Sequence, residues 1–361
     1  MTRTALRFVR CSLIRILTTT VLVAVAIGIL PGCAKHRLGD DQAGPPAGNG
    51  SLEIILKHEV APRGLAVTGS KAYLVTEDDG RFGIVEVSLP DGKERVLAED
   101  TAQNIAVSKD GKFLAFGTAS EWDAPCEVRL VDLDKGGWKK LTDTMGPLRG
   151  LDFSPGGKTL VFASLEGLVT IGLDGSDRKV LVEGKANGES TVLQWRPVWS
   201  PDGTKIAYAV SYYEGSGPIS IVDANTGAVL TLTVSDDIDP VWSPDGKSIL
   251  YTRQLYGEDH SDVYIADLAG AQPQFKRLTE GDAPYWGLGW SPDGRYVLVQ
   301  RAPSPGAPEG SPVKLLMCEV REGKFHELPA TSPKSMTATW APDGFIYYVT
   351  EGGKLTRIKP K

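Results

Sequence analysis

Trp199-Ser200-Pro201-Asp202-Gly203 comes back as Trp242-Ser243-Pro244-Asp245-Gly246, as Trp290-Ser291-Pro292-Asp293-Gly294 and as Trp340-Ala341-Pro342-Asp343-Gly344. Two degenerate copies precede them, Phe153-Ser154-Pro155-Gly156-Gly157 and Val107-Ser108-Lys109-Asp110-Gly111. A fainter one, Val67-Thr68-Gly69-Ser70-Lys71, keeps only position and context. From one apolar anchor to the next the steps are 40, 46, 46, 43, 48 and 50 residues. Four short strands need about that length, and a repeat of this period marks a propeller blade.

The chemistry of the motif agrees. In Ser-Pro-Asp-Gly the proline presets φ, the aspartate bonds nearby backbone and the glycine takes a left-handed position, so a strand ending in Trp turns tightly into the next. Runs such as Lys205–Ala209, Asp262–Asp267 and Phe275–Thr279 supply second, third and fourth strands, read as alternating strands with one face buried between blades. Seven anchors predict an all-β, seven-bladed β-propeller, with six blades as the alternative. After Trp340 the sequence offers two more strands, Phe345–Val349 and Lys354–Ile358, while Leu52–Lys57 precedes the first anchor without a partner. Pairing these ends completes the last blade and removes an exposed edge.

The Trp-Ser-Pro-Asp-Gly signature at this spacing resembles the PD40, or TolB-like, propeller repeat, across about residues 52–359. The resemblance implies the fold more strongly than any activity, because such propellers serve many roles. TolB itself joins six blades to a separate α/β domain, for which the tether here leaves no room, so its partner-binding role is not carried over.

The N-terminus reads as an export signal. Arg3, Arg7, Arg10 and Arg15 precede the apolar run Ile16–Leu30, and no acid occurs before Asp40. Leu30-Pro31-Gly32-Cys33 resembles a lipobox, with Pro31 in place of the usual small residue, which makes Cys33 the lipidation site; an uncleaved anchor is the alternative. The organisation expected is a signal over 1–32, a lipidated Cys and tether rich in Gly, Pro, Asp and Ala over 33–50, and a propeller over 51–361. Ala34 after the Cys, in place of an inner-membrane retention Asp, favours the outer membrane's periplasmic face or the cell surface.

Charge narrows the partners. The chain carries 39 basic and 45 acidic residues, net −6; losing residues 1–32 removes four Arg and no acid, giving −10. Such a domain lacks the basic footprint of a nucleic-acid binder and is repelled by anionic lipid heads, so the membrane is reached through the acyl anchor.

Propeller topology divides the candidate residues between two faces. The Ser-Pro-Asp-Gly turns share one. The other holds the second-to-third-strand loops, read as Ala119–Pro125, Ser211–Pro218, Gln254–Ser261 and Ala302–Pro312, with Trp122, Tyr212, Tyr213 and Tyr256 as binding residues or as caps over the blade ends. The same face holds the starts of the innermost strands, which place Arg63, Gln103, Asn104, Arg149, Trp195, Arg196, Asp239, Trp286 and Met336 at the channel mouth. Three Arg there suit a carboxylate, a sulfate or an acidic peptide end; alternatively Arg196 pairs with Asp239 of the next blade.

Signatures of catalysis are thin. Gly156-Gly157-Lys158-Thr159 imitates a phosphate loop, but Asp152 stands at its first Gly position and the stretch is the third blade's turn. No Gly-x-Ser-x-Gly elbow occurs. His36, His58, His260 and His326 are scattered, whereas metal-dependent pectin lyases with seven-bladed propellers gather several His in the channel. Asp236-Asp237-Ile238-Asp239 reads as a solvated connector before a Ca²⁺ loop. Cys126 and Cys318 fall in blades too far apart for a disulfide. The expectation is therefore a monomeric binding scaffold for an envelope protein or peptide, with no cofactor, metal or catalysis. The alternative is an envelope enzyme or sensor for a glycan or small anion. An assembly factor for outer-membrane proteins is a third reading.

Overall fold

The computed structural model describes residues 52–55, 64–78, 81–99, 102–118, 125–185, 192–212, 215–254, 260–281, 283–332, 337–350 and 354–360. The expected signal, Cys33 and the tether lie outside them.

The described strands form seven four-stranded antiparallel sheets. Six of these are consecutive in sequence and ordered from the innermost strand outward. In the fourth blade they are Val192–Trp199, Lys205–Tyr212, Gly215–Asp223 and Val229–Thr231. The seventh takes Thr337–Trp340, Ile346–Thr350 and Lys354–Ile358, and its outer strand is Leu52–Ile55. Leu52 stands opposite Arg357 and Ile55 opposite Lys354. The ring is seven-bladed and closed by its N-terminal strand.

Burial explains why these segments become blades. Seven buried apolar clusters divide one to each interface between neighbouring blades. Leu114, Phe116 and Val131 meet Tyr73 and Ile84 between blades one and two. Ala72, Leu74 and Val85 meet Tyr347, Val349 and Leu355 across the closing interface. The sequence reading gave each strand a single buried face, and here the structure differs. In Lys205–Tyr212 the five residues from Ile206 to Val210 are all buried, because a second strand is sandwiched between the blades on both sides. Only the outer strands are open: all four residues of Gln274–Arg277 are exposed.

The recurrent turn does two jobs. Within a blade, Ser200 Oγ donates to Asp202 Oδ1 at 2.6 Å and accepts from Lys205 N at 2.9 Å. Ser243 with Asp245 and Ser291 with Asp293 repeat the pattern. Between blades, a Cβ added to Gly203, Gly246 or Gly294 would touch the ring of Pro155, Pro201 or Pro244 at 3.5–3.7 Å, so each turn nests on the proline of the preceding blade. At Gly246 φ is +69°, and left-handed backbone costs a residue with a Cβ about 1–2 kcal/mol. Gly246→Ala should lower the unfolding free energy by that amount, seen as a lower urea midpoint with no change in the slope of the transition.

The turn aspartates also set the acid limit. The serine hydroxyls hold the Asp110, Asp202, Asp245 and Asp293 carboxyls below the usual carboxylate range. A depressed carboxyl contributes its stability above its unfolded pKa and loses it as pH falls through the folded value. Melting temperature should therefore fall below about pH 4, and the acid limb should flatten when Ser200, Ser243 and Ser291 are changed together to Ala.

Candidate functional site at the loop face

Each innermost strand begins at the channel mouth, and in blades two to five the chain does something unusual three residues before the anchor. Asn104, Arg196 and Asp239 have φ of 52°, 46° and 56°, and Gly150, at the same place in blade three, has φ of 129°. The inner ladders slip there, between Gln103 and Ile105, between Trp195 and Val198, and between Ile238 and Val241. In blades four and five the sequence shows why: Pro197 and Pro240 follow the left-handed residue and have no N–H to continue a ladder. Asn and Asp tolerate this conformation, but an arginine there stores strain of about 1–3 kcal/mol, a feature that clusters at functional sites.

These bulges join one blade to the next. Asn104 Nδ2 donates to Leu148 O at 3.2 Å, and Arg196 N donates to Arg149 O at 3.0 Å. The Arg149 guanidinium lies 4.5 Å from the centroid of the Trp195 ring, and Arg196 Nη1 stands 3.0 Å from Asp239 Oδ1. Asn104, Arg149, Trp195, Arg196 and Asp239 thus form one continuous arc over blades two to five. Arg196 takes the pairing foreseen as its alternative, and its side chain remains 58% exposed. Trp286 is the second residue of Tyr285–Trp290, the inner strand of blade six, and is half-buried; among the described residues no hydrogen bond or ion pair joins it to the arc. Arg63, Trp122, Tyr213, Tyr256 and Met336 lie outside the described residues, as does the side chain of Gln103.

Ser211–Pro218 is corrected from a long loop to an extended hairpin. Tyr212 ends a second strand and pairs with Gly215 at the start of the third. Small residues permit this: a Cβ at Gly217 would meet the Tyr212 ring at 2.5 Å, so the glycine lets the ring fold over the hairpin. Tyr212 is still 48% exposed. The sequence reading passed over two further residues of this face. Met145, 64% exposed, and Val234, 94% exposed, sit in the connections that lead into blades three and five. Each follows a threonine whose hydroxyl anchors the connection: Thr144 Oγ1 donates to Gly146 O at 2.6 Å and Thr233 Oγ1 accepts from Ile219 N at 2.9 Å. An apolar side chain displayed from a fixed connection was the signal available.

The acidic run before Trp242 does not converge. Asp237 is buried against Arg253, Asp239 points to Arg196, and burial beside Asp237 raises the Asp236 carboxyl. Cys126 and Cys318 are buried and form no disulfide with each other, and burial pushes the Cys318 thiol up to about 11.

The family model for the TolB beta propeller domain, PD40, matches residues 184–359. Residues 184–359 carry the TolB-like, PD40 propeller repeat. A protein described as TolB from Agrobacterium tumefaciens superposes with a TM-score of 0.50 at 18% identity, over 74% of this chain and 95% of that one. The β-propeller domain of the Trilobed protease from Pyrococcus furiosus gives 0.60 at 17% identity, over 84% and 97%. Oligogalacturonate lyase from Vibrio parahaemolyticus gives 0.59 at 12% identity, over 81% and 87%. At these identities the likeness is one of fold. The Pyrococcus domain is described as having an open velcro topology, whereas this TolB-like ring is closed by pairing of its terminal strands. Comparison with curated proteins finds no match.

Proposed function

We propose that this TolB-like propeller is an extracytoplasmic binding scaffold that presents its loop face to an envelope protein or peptide, tethered to a membrane through Cys33. The fold is compatible with protein binding, and the TolB likeness is in keeping with an envelope address. The carrying observation is the grouping of exposed apolar side chains, Met145, Tyr212 and Val234, on the face that also displays the Arg149, Trp195, Arg196 and Asp239 arc. A rigid ring rimmed by apolar and aromatic side chains around a charged centre has the anatomy of a protein interface, with Tyr, Trp, Met and Arg as anchors. The ionic centre selects the register of the partner and the apolar rim supplies affinity.

Affinity capture from cell envelopes with the lipidated protein tests this. Changing Met145, Tyr212 and Val234 together to Ser, with Arg196→Gln, should leave the melting temperature within a few degrees and reduce capture of the specific partner at least about tenfold, since buried anchors cost about 2 kcal/mol or more each. Capture that survives all four changes rules the loop face out.

A further inference from the structure

On the opposite, turn face the anchor clamp is kept at two blade boundaries and lost at two. In blades five and six the anchor tryptophan clamps the preceding blade: Trp242 Nε1 donates to Val198 O at 3.2 Å and Trp290 Nε1 to Val241 O at 3.1 Å. The residue before the anchor supplies that carbonyl. In blade three this residue is Asp152, and the clamp from blade four is missing. Trp199 Nε1 is buried without a hydrogen-bond partner among the described residues, while Trp199 N donates to Asp152 Oδ2 at 2.8 Å. Trp340 Nε1 of blade seven is likewise buried without a hydrogen-bond partner among the described residues, so what sets the boundary of blades three and four apart is the Asp152 carboxylate that accepts the Trp199 N–H.

At that boundary the turns border an open recess of about 310 Å³. Asp152, Trp199, Pro155, Pro201, Pro244 and Lys109 are among the residues that line it. Asp152 is half-buried because it fronts the recess, with protein packed on its other sides. Burial pushes its carboxyl up to about 7, against the backbone N–H groups of Trp199 and Phe153, which pull it down. Lys109 is the other charged side chain lining the recess, and no ion pair joins it to Asp152 among the described residues. An anionic carboxylate in a recess lined by a tryptophan and three prolines is the chemistry that receives an organic cation: the carboxylate neutralises the charge, the indole attracts it and the prolines cover its stem.

We propose that the turn-face recess around Asp152 is a binding site for an alkylammonium group, as carried by a lysine side chain or a free polyamine. It lies at the far end of the channel from the loop face and stands or falls separately from the function proposed there.

Titration of the full chain, followed by tryptophan fluorescence and calorimetry, tests it with four probes: 1,5-diaminopentane, Nα-acetyl-lysine methylamide, its Nε-acetylated form and 1-pentanol. The two cations should bind saturably at pH 8 and the two neutral probes at least tenfold more weakly. Affinity should drop about tenfold or more at pH 5, where Asp152 is protonated. Asp152→Asn should abolish the preference for cations, and Lys109→Ala should strengthen binding by removing a competing charge. Tighter binding of the lysine derivative would assign the site to a partner's lysine, and tighter binding of the diamine to a free polyamine. A stability readout separates this role from a purely structural one. A raised carboxyl is fully stabilising below its unfolded pKa and loses that stability as pH rises through the folded value. Asp152→Asn should therefore raise the melting temperature at pH 8 and leave it little changed at pH 5. Equal affinity for neutral and cationic probes, undiminished binding by Asp152→Asn, or a variant less stable than wild type at both pH values would overturn the proposal.

Discussion

Asp237→Ala unfolds at a lower urea concentration than the wild type by an amount equal to about 3–5 kcal/mol, the cost of leaving one member of a buried ion pair alone. Asp237 is 0% exposed, and its two oxygens accept from Arg253 Nε at 2.8 Å and from Arg253 Nη2 at 3.0 Å. The same guanidinium lies 4.5 Å from the Tyr264 ring, which stacks on Tyr251 at 5.6 Å. Removing the carboxylate strands a cation beside two stacked rings in blade five. Arg253→Lys keeps the charge and loses the two-pronged geometry, so its penalty should be smaller. Changing both residues to apolar ones of similar volume should recover most of the loss. Equilibrium unfolding checks the series, and a loss under about 1 kcal/mol for Asp237→Ala would mean that water reaches the pair.

Deleting Leu52–Ile55 should have a comparable effect by a different route. These four residues pair with Lys354–Ile358 and supply the seventh blade with its outer strand. At about 0.5–1.5 kcal/mol for each ladder hydrogen bond, the ring loses about 2–5 kcal/mol. The pairing partner then becomes a bare edge, and such edges recruit other chains. A lowered, broadened thermal transition together with concentration-dependent association on a sizing column is expected. A sharp transition at the wild-type temperature would place ring closure in the packing of Tyr347, Val349 and Leu355 against Ala72 and Leu74 rather than in the strand.

The fold was legible because its turn is written out in the sequence. Pro and Gly serve backbone geometry within a blade and touch the next turn across the blade boundary, so both reasons preserve the same letters. The closing strand was legible by subtraction, since the ends of the repeat leave one strand without a partner. Burial on both faces was harder to see, because inner strands such as Leu151–Phe153 alternate while the second strands, such as Ile206–Val210, do not. The arc at the channel mouth could be placed by counting back from each anchor. Its left-handed backbone could not, although Arg196-Pro197 and Asp239-Pro240 carry a trace of it. Asp152 was read only as the residue that spoils a phosphate loop. Its position against Trp199 of the next blade depends on how two blades meet, which no local pattern records. Met145 and Val234 are single apolar residues in connections, and only their exposure distinguishes them.

The central claim, that the loop face is the binding face, is tested most directly by face-resolved photo-crosslinking in intact envelopes. A photoreactive residue is placed at Met145, Tyr212 or Val234 on the loop face and, in parallel proteins, at Lys112, Thr204 or Lys247 beside the turns of the opposite face. The account predicts a single specific adduct from the loop-face positions, lost when Arg196 is changed to Gln, and no such adduct from the turn-face positions. An adduct formed from the turn face alone would contradict it.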